Sequence, residues 1–178
     1  MRVIAGRFKG RRLKPPTWEG LRPTSDKLRE TLFNILAARI EGARVVDGFA
    51  GTGAVGVEAL SRGAAHVTFV DNDRRAAALT AANVSACGAA ADVTIETGDV
   101  ATVLRRHTAA FDVIWLDPPY GHDSYEALDA AAGALTPGGL VVLERPTRRE
   151  PAVPPTLTRI RDVKSGDSTL TFFTRSVS

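Results

Sequence analysis

Short apolar runs that alternate with stretches of helical pattern constrain this chain more than any other feature. The runs are ARVVD (43–47), HVTFVD (66–71), DVTIET (92–97), FDVIWLD (111–117) and GLVVLE (139–144). Between them, Val55 to Arg62, Asp73 to Ala86, Val100 to His107 and Ser124 to Leu135 read as helices, with turn signals at Gly63, Gly88, Gly98 and the TPGG of 136–139. Ahead of the first run, RPTSDKLRETLFNILAARI sets Leu28, Leu32, Ile35 and Leu36 on one helical face behind a start at Pro23 and Thr24. Strand–helix alternation at this pitch implies a parallel sheet with helices on both faces. The tail differs: TLTRIRDV and STLTFFTR flank KSGD with no helix between them, which predicts an antiparallel hairpin. The expected fold is α/β, a mostly parallel seven-stranded sheet flanked by helices, closed by an antiparallel C-terminal hairpin.

In such sheets ligands bind outside the carboxyl ends of the strands, at the topological switch. The residues that follow each run therefore carry the functional signal. The first run leads into DGFAGTGAVG, where Gly51, Gly53 and Gly56 satisfy G-x-G-x-x-G behind Asp47 and lead into a helix. The second ends at Asp71, 18 residues beyond Gly53, where an acid can accept both hydroxyls of a ribose. The third is followed by Gly98-Asp99, and the fourth ends in Asp117-Pro118-Pro119-Tyr120. Any one of these acids serves equally well as a helix cap or turn residue, and the glycines alone also suit a dinucleotide. Four acids at four successive strand ends together outline a pocket.

Charge is unevenly placed. Residues 1–23 hold seven basic side chains and one acid, a net +6, whereas the remaining 16 basic and 19 acidic residues give −3. A basic arm on a slightly acidic body is what binding to a polyanion needs, though a solvated charge run has the same composition. One cysteine, Cys87, and three scattered histidines predict neither an internal disulfide nor a metal site. No segment approaches the length of a membrane span, and the N-terminus carries charge too early for a signal peptide, so a cytoplasmic protein is expected. The 178 residues are read as a small basic N-terminal β-hairpin arm, 1–23, on one domain, 24–178, with a monomer as the default.

DGFAGTGAVGVEALSRGA, FVDND, TGD and DPPY resemble the ordered motifs of Rossmann-like class I S-adenosylmethionine-dependent methyltransferases. RVIAGRFKGRRL, RPTSDKLRETLFNIL and KSGDSTLTFF narrow the resemblance, nearly end to end, to the bacterial family that methylates the N2 amine of one guanine in 16S ribosomal RNA. Two positions depart from that family: Gly48, where a larger apolar residue is expected, and Asp71, where Glu is more frequent. The resemblance implies S-adenosyl-L-methionine as cofactor, with Asp71 at the ribose diol and Asp99 at the adenine amine. Gly51 and Gly53 would lie against the methionine part, Asp47 near its ammonium group, and Thr24 would help to close the pocket. The implied partner is 16S rRNA in the small ribosomal subunit or its assembly intermediate, contacted through Arg7, Lys9, Arg11 and Arg12 of the arm.

The quartet Asp117, Pro118, Pro119 and Tyr120 fits that reaction. An exocyclic amine is a poor nucleophile whose protons make it a donor, so its site must present acceptors. Asp117 offers a carboxylate and Pro118 a carbonyl, each aimed by the proline that follows it, while the Tyr120 ring offers a face for an unstacked base. Phe8 of the arm either stacks on RNA or folds into the arm itself. A DNA or RNA adenine-N6 methyltransferase is the alternative, because it meets the same amine problem. A nicotinamide-dependent dehydrogenase leaves DPPY idle, and a non-enzymatic RNA-binding protein makes no demand for the four acids.

Overall fold

Neighbouring residues of each central strand point to opposite faces, so a strand that is apolar throughout needs a helix layer on both sides. Val45, Phe69 and Trp115 pack on one face, whereas Val46, Val70 and Leu116 pack on the other. The computed structural model, which describes residues 1–177, supplies those two layers. Helices α1 (Asp26–Ile40), α2 (Ala54–Ser61) and α3 (Arg74–Ala86) cover the first face. Helices α4 (Val100–Arg105) and α5 (Tyr125–Ala134) cover the second.

The strands are β1 (Arg44–Gly48), β2 (His66–Asp71), β3 (Val93–Thr97), β4 (Phe111–Leu116), β5 (Leu135–Pro146), β6 (Leu157–Ser165) and β7 (Ser168–Arg175). They form one seven-stranded sheet in the order β3-β2-β1-β4-β5-β7-β6. The first five are mutually parallel, and β7 runs antiparallel to both β5 and β6. The expected fold class therefore holds. Topology reverses between β1 and β4, because the chain winds outward from β1 to β3 and then returns to β4 on the opposite side.

Local chemistry moves two boundaries. Helix α1 starts later than Pro23 and Thr24 suggest, because the Ser25 side chain accepts from the Leu28 N–H at 3.1 Å and caps it. The TPGG segment lies within β5 instead of preceding it. Its turn is absorbed as an irregularity in the pairing with β4, between Phe111 and Val113.

The arm is docked, not free. Its expected hairpin is reduced to one antiparallel bridge between Arg2 and Arg12, with turn bonds such as Gly10 N–H to the Val3 carbonyl closing its tip and further N–H groups given to the body. Glu58 of α2, fully buried, accepts from the Ile4 and Ala5 N–H groups at 2.8 and 3.1 Å. The same carboxylate accepts from Arg29 of α1 at 3.3 Å and Arg62 at 2.9 Å. Ser61 accepts from the Phe8 N–H at 2.9 Å, and Phe8 is 7% exposed. Phe8 thus folds inward, into the core of the body, flanked by the guanidinium groups of Arg7 and Arg11 at 4.6 and 5.8 Å from its ring centre.

Removing one member of a buried ion pair leaves the other uncompensated, at a cost of about 3–5 kcal/mol. Glu58→Ala is expected to lose about that much in urea denaturation. It should also make the arm cleavable by trypsin at Arg7 and Lys9 before the body is cut.

Candidate active site

At the switch between β1 and β4 the carboxyl ends of the strands open into a cavity of about 1000 Å³. Its floor is the loop from Phe49 to Thr52. Phe49 holds a positive φ of 60°, unusual for a side chain of its size, and sets its ring edge-on to His122 at 5.4 Å. Gly53 caps α2 in the left-handed region, φ 79°, and a Cβ there would lie 2.9 Å from Thr80. Behind the loop, Thr80 donates to the Gly51 carbonyl at 3.0 Å, and Asn83 donates to that of Thr52 at 2.8 Å. The departure at Gly48 has a local cause: a Cβ there would meet Leu116 at 2.8 Å and the Trp115 carbonyl at 3.0 Å. A larger residue at this strand end would require Leu116 to shift.

Three acids converge on the cavity as the sequence suggests. Asp47, 1% exposed, accepts from the Gly56 N–H of α2 at 2.9 Å. Burial pushes its carboxyl up to about 8, against the pull of that N–H, and Asp71 adds repulsion. Asp71 accepts from the Gly51 and Asp73 N–H groups, each at 2.9 Å, so it ties the end of β2 to the glycine loop. The shorter Asp suffices for that tie, and each of its oxygens keeps a further lone pair for a ligand. Asp117, at the end of β4, is held well above the usual carboxylate range, first by burial and then by the carboxyl of Glu144. Thr24 donates to Asp117 at 3.5 Å, so the RPT segment closes over this carboxyl.

Pro118, Pro119 and Tyr120 continue along the rim, where Tyr120 is 86% exposed. Gly53 stands behind the lining as the cap of α2. Asp99 lies outside it: exposed, it caps α4 by accepting from the Thr102 N–H at 2.9 Å, while its other oxygen makes no hydrogen bond among the described residues. Arg7, Lys9, Arg11 and Arg12 are exposed on the arm and none lines the cavity. Arg7 pairs with Asp92 at 3.5 Å, and Arg11 donates to the Ala86 carbonyl at 3.1 Å.

Among the lining residues without a place in the sequence motifs are Trp18, Leu21 and Glu144. Trp18, stacked 4.8 Å beneath the Arg75 guanidinium, and Leu21, against Gly51, form a roof over the glycine loop. Contacts across so long a stretch of chain leave no local signal. Glu144 did carry one, as the last residue of an apolar run. Its carboxyl stands beside Asp117 on the neighbouring strand, since Leu116 pairs with Leu143. No helix is long and apolar enough to cross a membrane, and no cluster of metal-ligating side chains forms, among the described residues.

The raised Asp47 carboxyl has a thermodynamic consequence. Below its unfolded value of 3.8 both states are protonated and its contribution to stability is complete. As pH rises toward about 8, the unfolded chain has released a proton that the native state still holds, and stability falls. Calorimetric melting temperatures of the ligand-free protein should drop by several degrees between pH 5 and pH 8, and the drop should be smaller in Asp47→Asn.

Comparison with known proteins places these features in a lineage. The sequence profile of conserved hypothetical protein 95 matches residues 1–174. The chain is 34% identical over 172 residues to ribosomal RNA small subunit methyltransferase D of Haemophilus influenzae, covering 93% of this chain and 89% of that one. The solved structure of yhhF from Escherichia coli superposes with a TM-score of 0.85 at 31% identity, covering 100% of this chain and 99% of that one. A hypothetical protein from Thermus thermophilus superposes with a TM-score of 0.82 at 31% identity, with 99% of both chains covered.

Proposed function

We propose a function from one premise: this chain belongs to the family of conserved hypothetical protein 95, a family of methyltransferases. The reaction is transfer of a methyl group from S-adenosylmethionine to the exocyclic N2 amine of a guanine in 16S ribosomal RNA. The observation that carries it is the shared cavity, in which the glycine loop with Asp47 and Asp71 stands next to the Asp117-Pro118-Pro119-Tyr120 turn. The small-subunit RNA named for the Haemophilus relative supports the acceptor. The donor set fits the cofactor: a buried carboxyl, Asp47, for an ammonium group, lone pairs on Asp71 for a diol, and the N-terminus of α2 for a carboxylate. Gly51 and Gly53 shape the floor, Thr24 the closing edge, and Asp99 is assigned to the adenine amine by resemblance. When bound, that cofactor supplies an electrophilic methyl group on a sulfonium.

The protein's own part is orientation and proton handling. Asp117 and the Pro118 carbonyl accept from the two N–H bonds of the amine and hold its lone pair in line for transfer. They also stabilise positive charge as it develops on nitrogen. Burial gives Asp117 the proton affinity to take up the proton that the amine gives up. Tyr120 on the rim meets an unstacked base, whose extrusion favours a loop nucleotide. The arm, residues 1–23, acts as an RNA-contacting part of one catalytic unit, with Arg7, Lys9, Arg11 and Arg12 toward phosphates.

The purified protein, given methyl-labelled S-adenosylmethionine and small subunits lacking native methylation, should yield label in N2-methylguanosine after digestion to nucleosides. Label in N6-methyladenosine would overturn the acceptor. Asp117→Ala should keep cofactor affinity in calorimetry within about two-fold and lose transfer by at least about a hundred-fold. Arg11→Glu with Arg12→Glu should raise KM for subunits and flatten the dependence on salt, leaving cofactor binding unchanged.

A further inference from the structure

Glu144 is the fifth strand-end acid and has no assigned task. It lines the same cavity as Asp117, and the register of β4 on β5 sets the two carboxyls side by side. One oxygen, Oε1, accepts from the Ser168 hydroxyl of β7 at 3.2 Å. The other, Oε2, is buried and has no hydrogen-bond donor among the described residues; the adjoining Asp117 carboxyl can pair with Glu144 only through a shared proton. Buried polar atoms are nearly always paired, so an orphaned carboxylate oxygen at a ligand cavity marks a place for a donor. The neighbouring Arg145 does not serve. Its guanidinium donates to Thr171 at 2.9 Å and to the Arg149 carbonyl at 3.0 Å, and reaches Asp162 at 3.5 Å.

The edge of a guanine presents two donor groups side by side, the N2 amine and N1–H. Adenine instead sets an acceptor, N1, beside its amine. With the N2 amine on Asp117 and the Pro118 carbonyl, the next donor along the edge falls toward the neighbouring strand, which carries Glu144. We propose that Glu144 is a specificity-determining residue that accepts the N1–H of the target guanine and rejects bases with a lone pair at that position. This inference rests on the guanine-N2 reading given above. Rejection is electrostatic when Glu144 is ionised: a ring nitrogen lone pair would then face a carboxylate in a partly buried site, leaving both without a donor. A site built around a hydrogen bond discriminates strongly against an analogue that cannot make it.

The test compares small subunits reconstituted with 16S RNA carrying either guanine or 2,6-diaminopurine at the target position. Diaminopurine keeps the N2 amine but has a lone pair at N1. Wild-type protein should favour guanine in kcat/KM by at least about a hundred-fold. In Glu144→Gln the amide can rotate to donate to N1, and the preference should fall to within about ten-fold while cofactor affinity stays unchanged. Glu144→Asp keeps the carboxylate and should keep the preference. A wild-type ratio near one overturns the inference whether or not the variants fold, as does an undiminished ratio in Glu144→Gln. Failure of wild-type protein to methylate guanine subunits at all would instead remove the guanine-N2 reading, and this inference with it.

Discussion

One buried carboxylate fastens the chain's N-terminal segment to its body. Glu58 takes donors from the arm, from Arg29 of α1 and from Arg62 at the end of α2. A charge removed from water is costly unless its lone pairs are met in full, and here four donors meet them. Arg29, itself fully buried, is held in turn by the Arg2 carbonyl at 2.9 Å and by Asp26 at 2.6 Å. With the arm fixed at this point, the following segment has a defined path. It passes Asn83, which bonds both backbone groups of Lys14, then lays Trp18 and Leu21 over the glycine loop, and reaches Asp117 with Thr24. The roof of the cavity thus depends on an ion pair on the far side of α2.

The cavity beneath that roof is lined by more acids than cations, its basic side chains being Arg22, Arg75, Arg145 and Arg149. Asp47, Asp117 and Glu144 all bind protons more tightly than ordinary carboxyls, chiefly because burial disfavours their charge. Such a site has its electrostatic demand met by what enters it, whether a cationic group at Asp47 or N–H donors at the pair beyond it. The same acceptors would serve poorly for phosphate. This separates the cavity from a dinucleotide site built on a similar glycine pattern.

Much of this was legible in the chain because period and punctuation are local signals. The five apolar runs became the parallel strands, and the two runs around KSGD became β6 and β7. The acids at the ends of β1, β2 and β4 meet in one cavity because a parallel sheet brings its carboxyl ends together. What stayed hidden depends on partners distant in sequence. Whether Phe8 faces outward was settled by Ser61 and the core, not by its neighbours in the arm. Asp99 has the spacing of a cavity residue, yet its carboxylate caps α4 outside the lining. Glu144 ends its apolar run as the other acids do, but only the pairing of Leu143 with Leu116 reveals its neighbour.

The position of β7 bears on how the molecule is born. β7 follows β5 and β6 in the chain, yet it inserts between them. A domain generally folds as a unit, so this sheet closes only once β7 has left the ribosome. The strands bearing Asp47, Asp71 and Asp117 precede it in the chain, but their sheet is complete only when β7 lies between β5 and β6. The hydroxyl of Ser168, which holds Glu144, arrives only with that strand. The cavity therefore lacks its Ser168–Glu144 contact until the last strand is in place, and a sheet still missing β7 leaves Glu144 beside Asp117 without that donor.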